Sequence, residues 1–282
     1  MSTEFNPTLA YLYRRWLMRR LLQPVGSGRF LEIGVGSGNL YEDLVGRGCR
    51  GLCLDLNPRL IREHRQRSCH PARVVEFRAQ DFFQVEGSFD LVLAFEVLEH
   101  YLDDRQCLLR WRELLAPEGT LLFSVPAHQR RWTSNDTRAG HARRYEKAEL
   151  IRTLDGSGLA VEAFCCYGFP VLNWTYPLSS LLFPEPAETP GAARSEGSLA
   201  PTAGSMKDFG RTSGSGGRRF SRLAKWLLKE RLWRPFLLMQ RPFLGGDMGT
   251  GYMVKCRKAG RPGSVGGCDV SDPPGRAGAS LI

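Results

Sequence analysis

Short apolar runs bounded by glycine and charged residues alternate along the chain with stretches whose apolar positions recur every three or four residues. The runs Arg29 to Ile33, Arg50 to Leu54, Arg73 to Arg78, Phe89 to Phe95 and Thr120 to Val125 read as strands. Segments 38–46, 58–67 and 103–115 read as the helices between them. A helix over 147–154 and a strand from Ala160 to Tyr167 continue the series. This alternation predicts an α/β fold whose sheet is mainly parallel and covered on both faces. Ahead of it, Asn6-Pro7 reads as a helix cap and first-turn proline, followed by Leu9, Leu12, Tyr13, Trp16 and Leu17 at helical spacing. Arg14, Arg15, Arg19 and Arg20 give that helix a basic side.

Beyond the sixth strand the pattern changes. Phe169, Trp174, Tyr176 and their neighbours form an aromatic and aliphatic stretch, and residues 184–217, rich in Gly, Pro, Ser, Ala and Thr, read as a mobile linker. Periodicity resumes at Phe220, Leu223, Leu227 and Leu228, predicting an amphipathic helix. Residues 218–244 carry eight Lys and Arg against the single acid Glu230. Thr250 to Arg257 reads as a last strand beside 160–167, which makes the stretch between them an insertion. The organisation is thus an N-terminal helical segment (1–24), a core with an apolar substrate-side segment (25–183), the linker, a basic amphipathic insertion (218–249), a final core strand (250–259) and a disordered tail (260–282).

Composition narrows the classes. With 42% hydrophobic and 24% charged residues, the 282-residue chain has the make-up of a globular protein. Its formal charge of +10 permits attraction to nucleic acid or an anionic membrane. The eight cysteines lack paired CxxC spacing, so a reducing cytoplasmic compartment is expected and no metal site. Every apolar stretch is much shorter than the roughly 20 residues that span a bilayer.

The candidate chemistry starts at Leu31-Glu32-Ile33-Gly34-Val35-Gly36-Ser37-Gly38, where alternating glycines at the end of the first strand allow a tight turn and close approach of a ligand. The turn lacks the Lys-Ser/Thr of a phosphate loop. Asp55, followed by Leu56, ends the second strand, where a carboxylate can accept from both hydroxyls of a ribose. Asp81 has the matching place after the third strand and can accept from an adenine amino group, with Phe82 beside it to cover the ring. Either acid can equally be a helix or turn cap.

This set, with Phe89-Asp90-Leu91-Val92-Leu93-Ala94-Phe95-Glu96-Val97-Leu98-Glu99-His100, resembles the motif series of class I S-adenosylmethionine-dependent methyltransferases, and most closely their small-molecule, ubiquinone-biosynthesis type branch. The resemblance implies a Rossmann-like seven-stranded sheet with the last strand antiparallel, plus an inserted lid-like helical segment. It implies S-adenosylmethionine as cofactor and S-adenosylhomocysteine as product. Glu32 with Gly34, Gly36 and Gly38 would hold the methionine and sugar portion, Asp55 and Leu56 the ribose, Asp81 and Phe82 the adenine, and Glu96 and Val97 would line the cleft.

A base is needed only if the acceptor starts protonated. His128, in the loop after the fifth strand, is the first choice; His141 and Glu99 are the others. The segment Gly140-His141-Ala142-Arg143-Arg144-Tyr145 resembles one that borders substrate in relatives. Arg143, Arg144 and Tyr145 can fix an anionic group, or else tie the loop to the following helix. Trp16, Phe169, Trp174 and Tyr176 are expected to wall the acceptor site. The expected partner is a small-molecule acceptor under a lid; peripheral membrane contact ranks second and nucleic acid last. A methyltransferase-like scaffold that binds without transfer is the rival of a different class.

Overall fold

The computed structural model describes residues 8–22, 27–175 and 230–259. Seven strands, β1 (Arg29–Ile33), β2 (Arg50–Asp55), β3 (Val75–Ala79), β4 (Phe89–Phe95), β5 (Leu115–Pro126), β6 (Leu159–Tyr167) and β7 (Gly251–Lys258), form one sheet in the order β3-β2-β1-β4-β5-β7-β6. The first five pair in parallel, and β7 runs antiparallel between β5 and β6. This is the Rossmann-like α/β sheet the motifs imply. Strand order reverses at β1 and β4, and in such sheets the crevice beyond the carboxyl ends at that point is where ligands bind.

The helices are α1 (Leu9–Leu21), α2 (Tyr41–Val45), α3 (Pro58–Arg67), α4 (Asp104–Leu114), α5 (Ser134–Ala139), α6 (Lys147–Gly156) and α7 (Glu230–Met239). Alternate residues of each strand feed two cores. Val92, Phe123 and Tyr252 face Trp111 and Leu150, whereas Leu93, Leu122 and Met253 face Tyr13, Leu17 and Leu237. Each fully buried Leu or Phe among these stabilises the fold by about 1.5–3 kcal/mol.

Of the boundaries that differ from expectation, two have clear local reasons. The cap of α1 is Thr8, whose Oγ1 accepts from Tyr11 N at 3.2 Å, in place of Asn6, which lies outside the described residues. β5 starts at Leu115 because the Pro117-Glu118-Gly119 turn is absorbed into the strand across a register shift opposite Phe89 and Leu91. A Cβ at Gly119 would come within 2.9 Å of Phe89 O, so the close approach requires glycine.

The linker 184–217, the tail 260–282 and the amphipathic repeat at 220–228 lie outside the described residues. The described part of the insertion, α7, docks on α1: Tyr13 donates its hydroxyl to Phe236 O, and Leu237 is fully buried. Gln240 accepts from Gly168 N, fixing the end of this segment to the end of β6. Among the described residues no helix is long and apolar enough to cross a membrane, and no disulfide joins the seven described cysteines to one another.

Candidate active site

The glycine turn leaves β1 with Gly34 at φ 72° and Gly36 at φ 56°, a left-handed conformation that glycine adopts without strain. A Cβ at Gly34 would sit 2.7 Å from Cγ2 of Val97, so the turn is pressed against the end of β4. Gly36 N donates to Asp55 Oδ2 at 2.9 Å, and Asn57 N donates to Oδ1 at 2.8 Å. Each oxygen keeps a second lone-pair direction. Burial raises the Asp55 carboxyl above its ordinary value, while the two amides oppose the shift.

Four residues to which the sequence assigns no part in the site support this turn. Tyr11 of α1 packs over Gly38 and donates to Asn39 Oδ1 at 2.6 Å. Arg15 and Arg19 both grip Asp43 of α2, at 2.7 Å each, which fixes α1 over the turn. His64 of α3 places Nε2 2.8 Å from Gly36 O and stacks on Phe77. Burial, with Arg67 beside it, pushes this imidazole down to about 4, so it is neutral and donates Nε2–H to the carbonyl.

Asp81 and Asp55 end neighbouring strands. Burial raises the Tyr101 hydroxyl, and both carboxylates add to that shift from close by. Asp81 is partly exposed and accepts from Phe83 N at 3.0 Å. The ring of Phe82 is not free to cover a base: it is 2% exposed and packs on Tyr101 and Trp111. Leu56 is half-buried beside Asp55, and Glu32 is buried beneath the turn, its carboxyl pushed up to about 8 by burial.

Glu96 has φ 56°, an uncommon conformation for a residue with a side chain that costs about 1–3 kcal/mol. It is held by Glu96 N to Ser124 O at 3.0 Å and by Ser124 Oγ donating to Oε1 at 2.7 Å. Tyr167 OH donates to the same oxygen at 3.3 Å, and Arg14 of α1 lies 3.6 Å from Oε2. Both Arg14 and Glu96 keep part of their side chains exposed, so a charged pair borders the end of β4.

Of the three base candidates, two meet. His141 Nδ1 lies 2.9 Å from Asp136 Oδ1, and its Nε2 lies 3.7 Å from Glu99 Oε1. Glu99 is fully buried with neither carboxyl oxygen hydrogen-bonded, and burial, with Glu96 nearby, raises it well above the usual carboxylate range. Donor atoms of Glu99, His100 and His141 all lie within 4.8 Å of one another. His128 belongs elsewhere. It is grouped with Cys166 and Tyr252, whereas Glu96 meets Tyr167, the next residue of β6, which faces the other side of the sheet.

The expected anion clamp is tied up in the loop itself. Arg144 grips Asp136 at 2.8 and 3.0 Å and donates to Ala127 O. Arg143 reaches Asp104 and Leu102 O, and Tyr145 is fully buried in a bridge to Ala127. Burial opposes ionisation of Asp136, but the His141 and Arg144 hydrogen bonds outweigh it and hold this carboxyl well below its ordinary value. These three residues therefore fasten the loop to α5, to the start of α4 and to the end of β5, in place of the expected tie to the following helix. Trp16 is a packing residue, with the Arg20 guanidinium 5.1 Å over its ring. Phe169 packs edge-on against Phe243 at 4.8 Å, Trp174 is 76% exposed, and Tyr176 lies outside the described residues. A shallow groove between Gly28, Cys49 and Asp90 opens at the amino ends of β1 and β4, away from all of these groups.

The turn fits a nucleoside-bearing cofactor. A Cβ at Gly36 would meet nothing closer than 4.0 Å, so space is open above the turn, with the Asp55 carboxylate at its edge.

Comparisons with known proteins agree. A family profile described as methyltransferase domain matches residues 5–163. The ubiquinone biosynthesis O-methyltransferase of Xanthomonas axonopodis pv. citri (strain 306) is 33% identical over 137 residues, covering 47% of this chain and 54% of that protein. The one from Xanthomonas euvesicatoria pv. vesicatoria (strain 85-10) is 31% identical over 134 residues, covering 46% and 53%. The chain thus spans about half the length of the curated relatives it matches. Among solved structures, an S-adenosylmethionine dependent methyltransferase from Mesorhizobium loti superposes with a TM-score of 0.52 at 16% identity, covering 87% of this chain and 97% of that one. The cyclase SpnF superposes with a TM-score of 0.55 at 14% identity, covering 91% and 85%. A cyclase and a methyltransferase share this architecture, so fold alone does not set the reaction. The profile match over more than half of the residues does set the family: the chain belongs to the methyltransferase domain family.

Proposed function

We propose that the chain transfers a methyl group from S-adenosylmethionine to an oxygen or nitrogen of a small or medium organic acceptor. The observation that carries the reading is the 2.9 Å contact that joins Gly36 of the open turn to Asp55, at the switch point of the sheet. Gly34, Gly36, Gly38 and Glu32 would hold the methionine and sugar portion, Asp55 and Leu56 the ribose, and Asp81 with the Phe82 backbone the adenine. Glu96 and Val97 would border the reacting end. The bound cofactor supplies an electrophilic methyl on its sulfonium, so the protein's part is alignment and, for a protonated acceptor, removal of a proton.

His141 is the proton acceptor in this reading. Asp136 takes Nδ1–H and so leaves the Nε2 lone pair toward Glu99. Burial, with Glu96 nearby, raises the Glu99 carboxyl beside it, which favours its protonated form. Incubation with methyl-labelled cofactor and a panel of phenols, amines and carboxylates tests the assignment. Label in an acceptor is the expected result; tight cofactor binding with no transfer to any acceptor favours a scaffold.

A second reading, a quinone or lipid acceptor reached at a membrane surface, is favoured by exposed Trp174, Phe236, Met239 and Met248 beside the insertion, and by the name of the 33%-identical relatives. A cytoplasmic location, peripheral to a membrane, goes with it. Co-sedimentation with anionic vesicles that weakens as salt rises supports this reading, and no co-sedimentation at low salt removes it.

A further inference from the structure

We infer that His128, Cys166 and Asp247 form a site for a divalent transition-metal ion of the zinc type, on the opposite side of the sheet from the Glu96 cluster. One ligand atom from each of the three lies within 4.8 Å of the others. Nε2 of His128 is 3.6 Å from Oδ1 of Asp247. Tetrahedral zinc with bonds of 2.0–2.3 Å needs its ligands about 3.3–3.8 Å apart, so that pair already has the required spacing. The mixed nitrogen, sulfur and oxygen set suits a borderline-soft ion such as zinc over magnesium or calcium.

The surroundings supply an independent reason. His128 is 2% exposed, and its Nε2 has no hydrogen-bond partner although it is buried. On the ring's other side, Nδ1 lies 3.4 Å from Glu146 Oε2, and Glu146 is itself anchored by Gln129 N at 3.0 Å. With Nδ1–H directed at Glu146, the Nε2 lone pair faces a carboxylate oxygen and a sulfur. A metal ion takes all three as ligands and replaces the thiol proton of Cys166. A carboxylate behind a ligating histidine is the arrangement that fixes the ring's tautomer in metal centres. Gly249 N donates to Cys166 Sγ at 3.0 Å and Tyr252 OH donates to Asp247 Oδ1 at 2.5 Å, both of which favour the charged ligands. His128 is also held at φ 63°, a strained conformation for a residue with a side chain.

The ligands come from the end of β5, the end of β6 and the approach to β7, which is why paired cysteine spacing gives no sign of the site. Coordination replaces the Cys166 thiol proton, which passes to solvent. Asp247 is 47% exposed on its side chain, so an ion has a path in from solvent. Its effect is to clamp the segment before β7 to the sheet.

The test uses the untagged full chain, freed of metal with chelator and titrated with cobalt(II). One equivalent is expected to bind with a thiolate-to-cobalt charge-transfer band, which zinc then displaces. Cys166→Ser should abolish the band, Cys69→Ser should leave it, and Glu146→Gln should weaken binding about 10- to 100-fold. No charge-transfer band at one equivalent, or a band that survives Cys166→Ser, overturns the inference. If Cys166→Ser does not fold by circular dichroism, the half-exposed Asp247→Asn decides: at least about tenfold weaker cobalt binding supports the site, on the same principle that losing a metal's partner costs that much, and unchanged binding overturns it.

Discussion

Nε2 of His64 stands 2.8 Å from the carbonyl oxygen of Gly36, so a neutral, buried imidazole supports the turn from below. Its value is about 4 in the fold against 6.5 for a free side chain, mainly through burial. Between those values the unfolded chain binds a proton that the folded chain does not. Stability therefore falls as pH drops from 6.5 toward 4 and levels off below, by on the order of 3 kcal/mol for this residue. His100, pushed down to about 4 by burial and by His141, acts in the same window. Denaturant unfolding of His64→Gln across that range should show a clearly shallower slope than the parent; an equal slope contradicts the assignment.

Gly34 and Val97 make a second prediction. Gly34→Ala meets two penalties, φ 72° and a Cβ 2.7 Å from Cγ2 of Val97. A loss of about 1–3 kcal/mol is expected from the backbone alone, with the clash in addition. Adding Val97→Ala should recover part of the thermal stability by removing the clash and leave the backbone part. A double variant no more stable than Gly34→Ala, once the cost of Val97→Ala alone is subtracted, would show that the turn does not press on β4.

His141 and Glu99 set the third. His141→Gln should lower methyl transfer to a phenolic acceptor by about 10²–10⁴-fold and leave cofactor affinity within about twofold. His128→Gln should have a far smaller effect on transfer, because that ring belongs to the Cys166 and Asp247 group. The pH profile of kcat separates proton removal from packing. A structural role for His141 lowers the rate equally at all pH values, whereas loss of a base lowers it least at high pH, where the acceptor ionises by itself.

The sheet was legible because its signals are local, and the same local signals mark the candidate cofactor residues. Glycines at 34, 36 and 38 follow an apolar run, and Asp55 and Asp81 each end one, so position along a strand decides where they go. Tertiary neighbours were not legible. Arg14 reaches Glu96, and Tyr11 reaches Asn39, because α1 packs into the core and is anchored to Asp43 by two arginines. Sequence shows that helix merely as amphipathic and basic. Arg143 and Arg144 looked available because nothing near them in sequence announces that Asp136 and Asp104 turn toward them. Phe82 looked like an adenine cover, yet an aromatic side chain beside Tyr101 and Trp111 gains more by joining the core.

The central claim is that the Gly36 turn and Asp55 hold a nucleoside together. Calorimetric titration of the full chain and of Asp55→Ala with S-adenosylhomocysteine tests it most directly. Removing a charged acceptor of two hydroxyl hydrogen bonds should cost about 1.5–3 kcal/mol, a 10- to 100-fold weaker affinity for a single site. No binding to the parent chain, or equal binding to both, would contradict the account.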